Sequence, residues 1–158
     1  MKNMKRTILL ISLVIVLLSP VILYTGIVIA NNSIANSIEK ELRAIKLPKD
    51  TEFVESVSIA GKIIGNGNGM QYFGALLVNS ELSAEELEEY YQNYAEDIYV
   101  VKQEKSEILD GELNTGYRFS NFDESKHNYI VHCWNHEHSA WEDQEWISTL
   151  LDFDIRGH

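Results

Sequence analysis

The densest cluster of side chains that could do chemistry is a short run near the C-terminus that reads HCWNHEH and begins at His132. Histidine, cysteine and carboxylate are the side chains that bind zinc in proteins. Alternate residues of an extended strand share a face, so His132, His136 and His138 would lie on one side. These three histidines are therefore the candidate ligands of a mononuclear metal site, with zinc as the candidate cofactor.

The spacing of this cluster matches neither the HExxH motif of metalloproteases nor the paired cysteines of a zinc finger. A solvated loop without metal is therefore the competing interpretation. Cys133 is the only cysteine, so no internal disulfide can form. On a strand it would face away from the neighbouring histidine, and we expect a small buried apolar residue rather than a nucleophile.

A second feature that could bind a ligand is the glycine-rich run from Gly65 to Gly69. It lacks the Lys-Ser/Thr pair of a P-loop and the G-x-G-x-x-G spacing of dinucleotide sites. Asn-Gly between two apolar, β-rich stretches is typical of a hairpin turn, because a type I′ turn needs positive φ at both central residues. We therefore predict a β-hairpin here.

The elements that must position these residues follow from the hydrophobic pattern. Ser83 and Glu86 form a capping box, and a stripe from Leu87 to Ala95 predicts the helix that follows. Ser139 and Glu142 predict a last helix through about Phe153, and a strand within 146–155 is the alternative interpretation. Apolar and alternating patterns predict strands at 52–64, 70–78, 98–105, 117–122 and 129–134. The order β-β-α-β-β-β-α predicts an α+β domain with a mostly antiparallel sheet and one or two packing helices.

This domain follows a long stretch without any charged side chain, from Thr7 to Ala30. As a helix the stretch would extend about 36 Å, more than the roughly 30 Å of a hydrocarbon core, so we predict a transmembrane anchor. Lys2, Lys5 and Arg6 precede it, and the first charge after it is Glu39. Because cationic flanks stay in the cytoplasm, we expect a cytoplasmic N-terminus and an outer domain.

A cleaved signal peptide is the alternative interpretation of this stretch, although a signal core normally has only about 7 to 15 apolar residues. Residues 31–47 place apolar side chains at helical spacing and predict a helical stalk that ends before Pro48. The predicted organisation is a cytoplasmic tip and anchor at 1–30, the stalk, and an extracytoplasmic domain at 48–158.

The charged residues are distributed very unevenly along the chain. Three of the 13 basic residues precede the apolar stretch and all 24 acidic residues follow it, so the part after residue 30 carries a formal charge of −14. Such a charge argues against binding to nucleic acid or to anionic lipid. A solvated surface and an acidic face for a basic partner are the two interpretations that this leaves open.

Three phrases carry a resemblance to known proteins: LPKD at 47–50, GNGNGMQYFGA at 65–75 and SAEELEEYY at 83–91. They resemble uncharacterised single-pass, membrane-anchored extracytoplasmic proteins of Gram-positive bacteria. In those proteins an LP-x-D/G opening is followed by a hairpin and an S-x-E-E-L helix. The resemblance covers about residues 47–105, and it implies a location and a fold but no activity or site.

These observations predict a single-pass protein of the cell membrane, tethered through residues 7–30, whose outer domain binds a protein or an envelope component without catalysis. The alternative is a metal-dependent enzyme or metal-binding protein that uses the loop at 132–138. A third hypothesis is a structural envelope protein whose stalk self-associates.

Overall fold

A computed structural model of the full chain describes residues 2–63, 69–107, 117–134 and 145–156. Within these residues the elements follow the order α1 (Lys2–Ala44), β1 (Thr51–Gly61), β2 (Gln71–Ser80), α2 (Ala84–Gln92), β3 (Ile98–Gln103), β4 (Asn128–Trp134) and α3 (Glu145–Leu151). The predicted class is confirmed, since a long apolar helix precedes a small α+β domain with a four-stranded antiparallel sheet.

The strand order in the sheet is β1-β2-β4-β3, and each neighbouring pair is antiparallel. β1 and β2 pair from Thr51↔Ser80 to Gly61↔Gln71, which confirms the predicted hairpin, while residues 64–68 of its loop lie outside the described residues. β2, one of the two inner strands, is buried on both faces, because helices cover one face and the segment from Tyr117 to Phe122 packs on the other.

α1 continues as one helix from the apolar stretch into the domain. Its second half buries Ile27, Asn31, Ala35, Ile38 and Leu42, which repeat every three or four residues and so lie on one side of the helix. Residues 31–47 therefore do not form a stalk that stands apart, because their apolar side packs into the core of the sheet. The physical reason is that an isolated stalk would leave this apolar stripe in water.

α1 approaches the sheet closely at Gly74 in β2. A Cβ at this position would lie 2.7 Å from Cγ2 of Ile38 and 2.8 Å from the backbone nitrogen of Glu39. Real Cβ atoms do not come this close to other heavy atoms, so glycine is the residue that lets the helix rest on the strand.

The predicted strand at 117–122 is wrong as a strand of the sheet, since this segment makes only an isolated bridge. Instead of pairing along a strand of the sheet, the segment hydrogen-bonds to the carboxylate of Glu55 on β1. Glu55 accepts hydrogen bonds from the hydroxyl of Tyr117 (3.0 Å) and from the backbone N–H groups of Ser120 (2.8 Å) and Asn121 (2.9 Å). The described residues therefore contain one strand fewer than predicted.

The helix α2 begins at the predicted capping box. The hydroxyl of Ser83 accepts from the N–H of Glu86 (3.2 Å), and the carboxylate of Glu86 accepts from the N–H of Ser83 (2.8 Å). Leu87 and Tyr91 are fully buried against the sheet. Tyr94, which the predicted stripe included, follows the end of the helix and is 55% exposed.

The predicted C-terminal helix is present as α3, which covers residues 145–151. Its proposed cap, Ser139 with Glu142, lies outside the described residues. In the structure α3 packs against α1 rather than on the sheet, so its position depends on the helix that carries the apolar stretch.

The contact at Gly74 generates a stability prediction. Gly74→Ala should lower the free energy of unfolding by about 1–3 kcal/mol, because the added methyl group overpacks the contact with α1. Gly26→Ala is the matched control, since a Cβ at Gly26 meets nothing within 4 Å. Urea unfolding of the full chain in detergent, followed by tryptophan fluorescence, measures both; equal stability of the two variants would contradict the close contact.

Candidate functional site

His132 lies on β4, on the face of the sheet opposite to α1 and α2. Its ring is 8% exposed and lies between Phe73, with ring centroids 5.6 Å apart, and Tyr99, at 5.8 Å. Phe73 also contacts Trp134, with centroids 4.6 Å apart. A row of four aromatic rings therefore crosses three strands, and His132 is one of its packed members.

The structure describes only one of the three histidines of the predicted metal site. His136 and His138 lie outside the described residues, so the triad with His132 stays a prediction. Across the ranges that the structure describes, no group of three or more His, Cys, Asp or Glu side chains is placed to hold a metal ion.

Cys133 occupies the opposite face, as predicted from the alternation of β4. It is buried in the core beneath α1, and its Sγ lies 3.6 Å from a carboxylate oxygen of Asp97. Burial, and then the negative charge of Asp97, raise the pKa of the thiol to about 12. The thiol is therefore protonated at neutral pH. The predicted burial of Cys133 is confirmed.

A buried polar network, which pattern reasoning missed, joins the C-terminal segment to α1. The fully buried carboxylate of Asp154 accepts from the amide of Asn31 (3.0 Å) and from Nε (2.9 Å) and Nη2 (2.6 Å) of Arg156. The hydroxyl of Tyr72 donates to the amide oxygen of Asn31 (2.8 Å). Asn31 and Asp154 are 123 residues apart, and neither stands in a motif that would have paired them.

The electrostatics of this network favour an ionised Asp154. Its hydrogen bonds to Arg156 and Asn31 outweigh the effect of burial and lower the pKa of the carboxyl from 3.8 to about 2. The same pairing raises the pKa of Arg156. The buried charge is therefore compensated by a bidentate partner, which is the condition for such a charge to be tolerated.

Further hydrogen bonds fix the same segment to the hairpin and to α1. The carboxylate of Asp152 accepts from the N–H of Met70 (2.7 Å), and the carbonyl of Arg156 accepts from the N–H of Lys62 (3.3 Å). Nη1 of Arg156 donates to the side-chain oxygen of Asn32 (2.8 Å). These contacts place α3 where the apolar stretch meets the domain.

A polar depression with a volume of about 450 Å³ opens at the opposite end of the sheet, where β1 begins and β2 ends. Lys126 lies 3.6 Å from a carboxylate oxygen of Glu52, and Nδ1 of His127 lies 4.0 Å from one of Glu81. Asp50 at its rim has a φ of 59°, in the left-handed region. The depression can offer carboxylates, hydroxyls and amides to a polar partner.

Comparison with known proteins adds no assignment: no protein-family model matches this sequence, and no curated protein or solved structure is significantly similar to it. The resemblance to membrane-anchored extracytoplasmic proteins therefore stays a prediction. What the structure defines is a class, a small α+β domain attached to one helix that is long and apolar enough to cross a membrane. That helix has a mean hydropathy of 2.7 in its most apolar window, none of which is buried by the protein, and it is compatible with single-pass anchoring.

The ionised state of Asp154 generates a pH prediction. Its pKa is lower in the folded chain, so the carboxylate stabilises the fold above about pH 4, and this stabilisation is lost as the pH falls to about 2. Asp154→Asn should be less stable than the natural chain at pH 7 and should lose less stability between pH 4 and pH 2. Urea unfolding at the three pH values measures the difference.

Glu89→Gln, a change on the exposed side of α2, is the control for removal of an acidic residue. This variant should keep the pH dependence of the natural chain. If Asp154→Asn also keeps it, the network does not hold an ionised carboxylate.

Proposed function

We propose that this protein is a membrane-tethered module whose domain lies outside the cytoplasmic membrane and binds a protein or an envelope component without catalysing a reaction. The observation that carries the proposal is the continuity of α1. One helix supplies both the exposed apolar stretch and a central part of the domain core. A domain attached in this way is held at the membrane surface in a defined orientation.

The distribution of charge supports a cytoplasmic N-terminus. Lys2, Lys5 and Arg6 flank the apolar stretch on one side, and the acidic domain follows on the other. Cationic residues next to a membrane helix are retained in the cytoplasm. The domain would then be displayed outside.

The network around Asn31 supports an anchor that is not cleaved. The side chain of Asn31 is fully buried and bonded to Asp154 and to the carbonyl of Leu151 (3.1 Å). Cleavage after Ala30 would break α1 directly beside this residue. An intact helix therefore suits the packing of the C-terminal segment better than a processed one does.

The polar depression at the far end of the sheet is the surface we assign to partner binding. It lies at the level of Arg43, near the end of α1, as the contact between the Arg43 guanidinium and the Phe53 ring shows (4.8 Å). This is sixteen residues beyond Ile27, or about 24 Å along the helix axis. An anchored domain would present this end away from the bilayer, with acidic side chains available to a basic or hydroxyl-bearing partner.

The orientation can be tested by proteolysis of protoplasts that express the full chain with an epitope tag at the N-terminus. Added protease should remove the domain and leave a protected fragment that carries the tag, because only the outer part is accessible. A cytoplasmic protein serves as the control for intact membranes. A protected domain would reverse the orientation, and a released protein beginning near Asn31 would show cleavage.

The alternative function, a metal site at the histidine loop, requires a ring nitrogen of His132, a residue that is only 8% exposed, to reach a metal ion that two further ligands also hold. Its position between Phe73 and Tyr99 favours a packing role for this ring.

One variant separates the two functions: the triple change His132→Ala, His136→Ala and His138→Ala. For a binding module, crosslinking in intact cells should capture the same partner with the natural chain and with the variant, and zinc titration should show no sub-micromolar binding to either. His127→Ala is the matched control for the zinc titration only, since His127 lies at the depression and not in the histidine loop. Sub-micromolar zinc binding that only the triple variant loses would establish the metal site.

A further inference from the structure

The outer boundary of the hydrocarbon core can be placed along α1. From Thr7, about 20 residues of helix cross roughly 30 Å, which brings the boundary to the neighbourhood of Ile27. A typical tilt of about 20° adds about one residue. From Met4 onward, Ile27 is also the first residue that the protein itself buries, so the domain begins where the hydrocarbon ends.

A groove between α1 and α3 straddles this boundary. It has a volume of about 630 Å³, and its walls include Ile22, Gly26 and Ile27 from α1 with Ile147 and Leu150 from α3. A Cβ at Gly26 would meet nothing within 4 Å, so the space above this glycine is open. Because Ile22 and Gly26 lie below the boundary, one end of the groove opens into hydrocarbon.

Two apolar side chains lie exposed immediately after α3. Phe153 is 65% exposed and Ile155 is 69% exposed, while Asp154 between them is fully buried and bonded to Asn31. Asn31 is four residues beyond Ile27, or about 6 Å along the helix axis. The headgroup region is about 5–7 Å thick on each side of the bilayer, so Phe153 and Ile155 lie at its depth.

We propose that the domain is seated on the bilayer, with Phe153 and Ile155 inserted among the lipids of the adjacent leaflet and acyl chains filling the groove between α1 and α3. The occupant is lipid because the groove is continuous with the exposed apolar surface of the membrane helix. This inference rests on the proposed membrane anchor and is independent of what the domain binds.

The seating depends on apolar contact rather than on headgroup charge. Residues after 30 carry a formal charge of −14, which anionic lipids would repel. Arg156, a cation beside this surface, is paired with Asp154 and Asn32. Neutral lipids should therefore serve as well as anionic ones.

The test uses the full chain in nanodiscs of phosphatidylcholine, with Cys133→Ala and one spin label at a time. Labels at Phe153→Cys, Ile155→Cys and Leu150→Cys probe the seating, Leu17→Cys reports hydrocarbon, and Phe53→Cys is the matched aqueous control. Phe53 is also an exposed phenylalanine, but it lies at the far end of the sheet beside Arg43. Power saturation compares collisions with oxygen, which partitions into lipid, and with a water-soluble nickel chelate.

The ratio of oxygen to nickel collisions should be several-fold higher at positions 150, 153 and 155 than at position 53, and should not rise when anionic lipid is added. Ratios at 153 and 155 equal to that at 53, with hydrocarbon values at 17, would overturn the seating and leave the anchor standing. An aqueous value at 17 would overturn the anchor itself. A high ratio only in anionic lipid would overturn seating by apolar contact.

Unfolding midpoints of the labelled variants, compared with that of the unlabelled chain, show which of them retain the fold. Phe153 and Ile155 are both largely exposed, so either position alone can decide the question if the other variant fails to fold.

Discussion

The contact between α1 and β2 at Gly74 is the constraint on which the rest of the structure depends. Only a strand without a side chain at this point lets the helix backbone come so close, and this approach buries Ile38 and Leu42 over the sheet. The helix that fills the core also carries the apolar stretch. The second half of α1 and the domain are therefore one packed unit, because unfolding the domain would also expose the apolar side of this half of the helix.

The polar network where the apolar stretch meets the domain completes this unit. A buried carboxylate is costly by itself, and Asp154 is stable there because Arg156 and Asn31 satisfy its oxygens. Such a network gives the C-terminal segment one defined place, since any shift would leave a charge unpaired in the interior. It also brings α3 to the level at which a bilayer would end, and the groove and the two exposed apolar side chains follow from that position.

The surfaces left to a partner follow from the same geometry. One face of the sheet is covered by α1 and α2, and it encloses Cys133 as a protonated thiol in the core. The other face carries the aromatic row that includes His132. The polar depression lies at the end of the sheet away from the apolar stretch, so a module held at a membrane would present this surface to the surroundings.

The sequence by itself determined the features that depend on neighbours along the chain: the apolar helix, the capping box at Ser83, the hairpin, and the alternation that places His132 and Cys133 on opposite faces. The tertiary structure decided the packing of residues 31–47, the hydrogen bonds of Glu55 that replace a predicted strand, and the pairing of Asn31 with Asp154. These contacts join residues that are far apart in sequence, so no local pattern reveals them. For the same reason, the spacing of the three histidines does not determine whether they bind a metal ion, because a metal site forms only where the fold brings its ligands together.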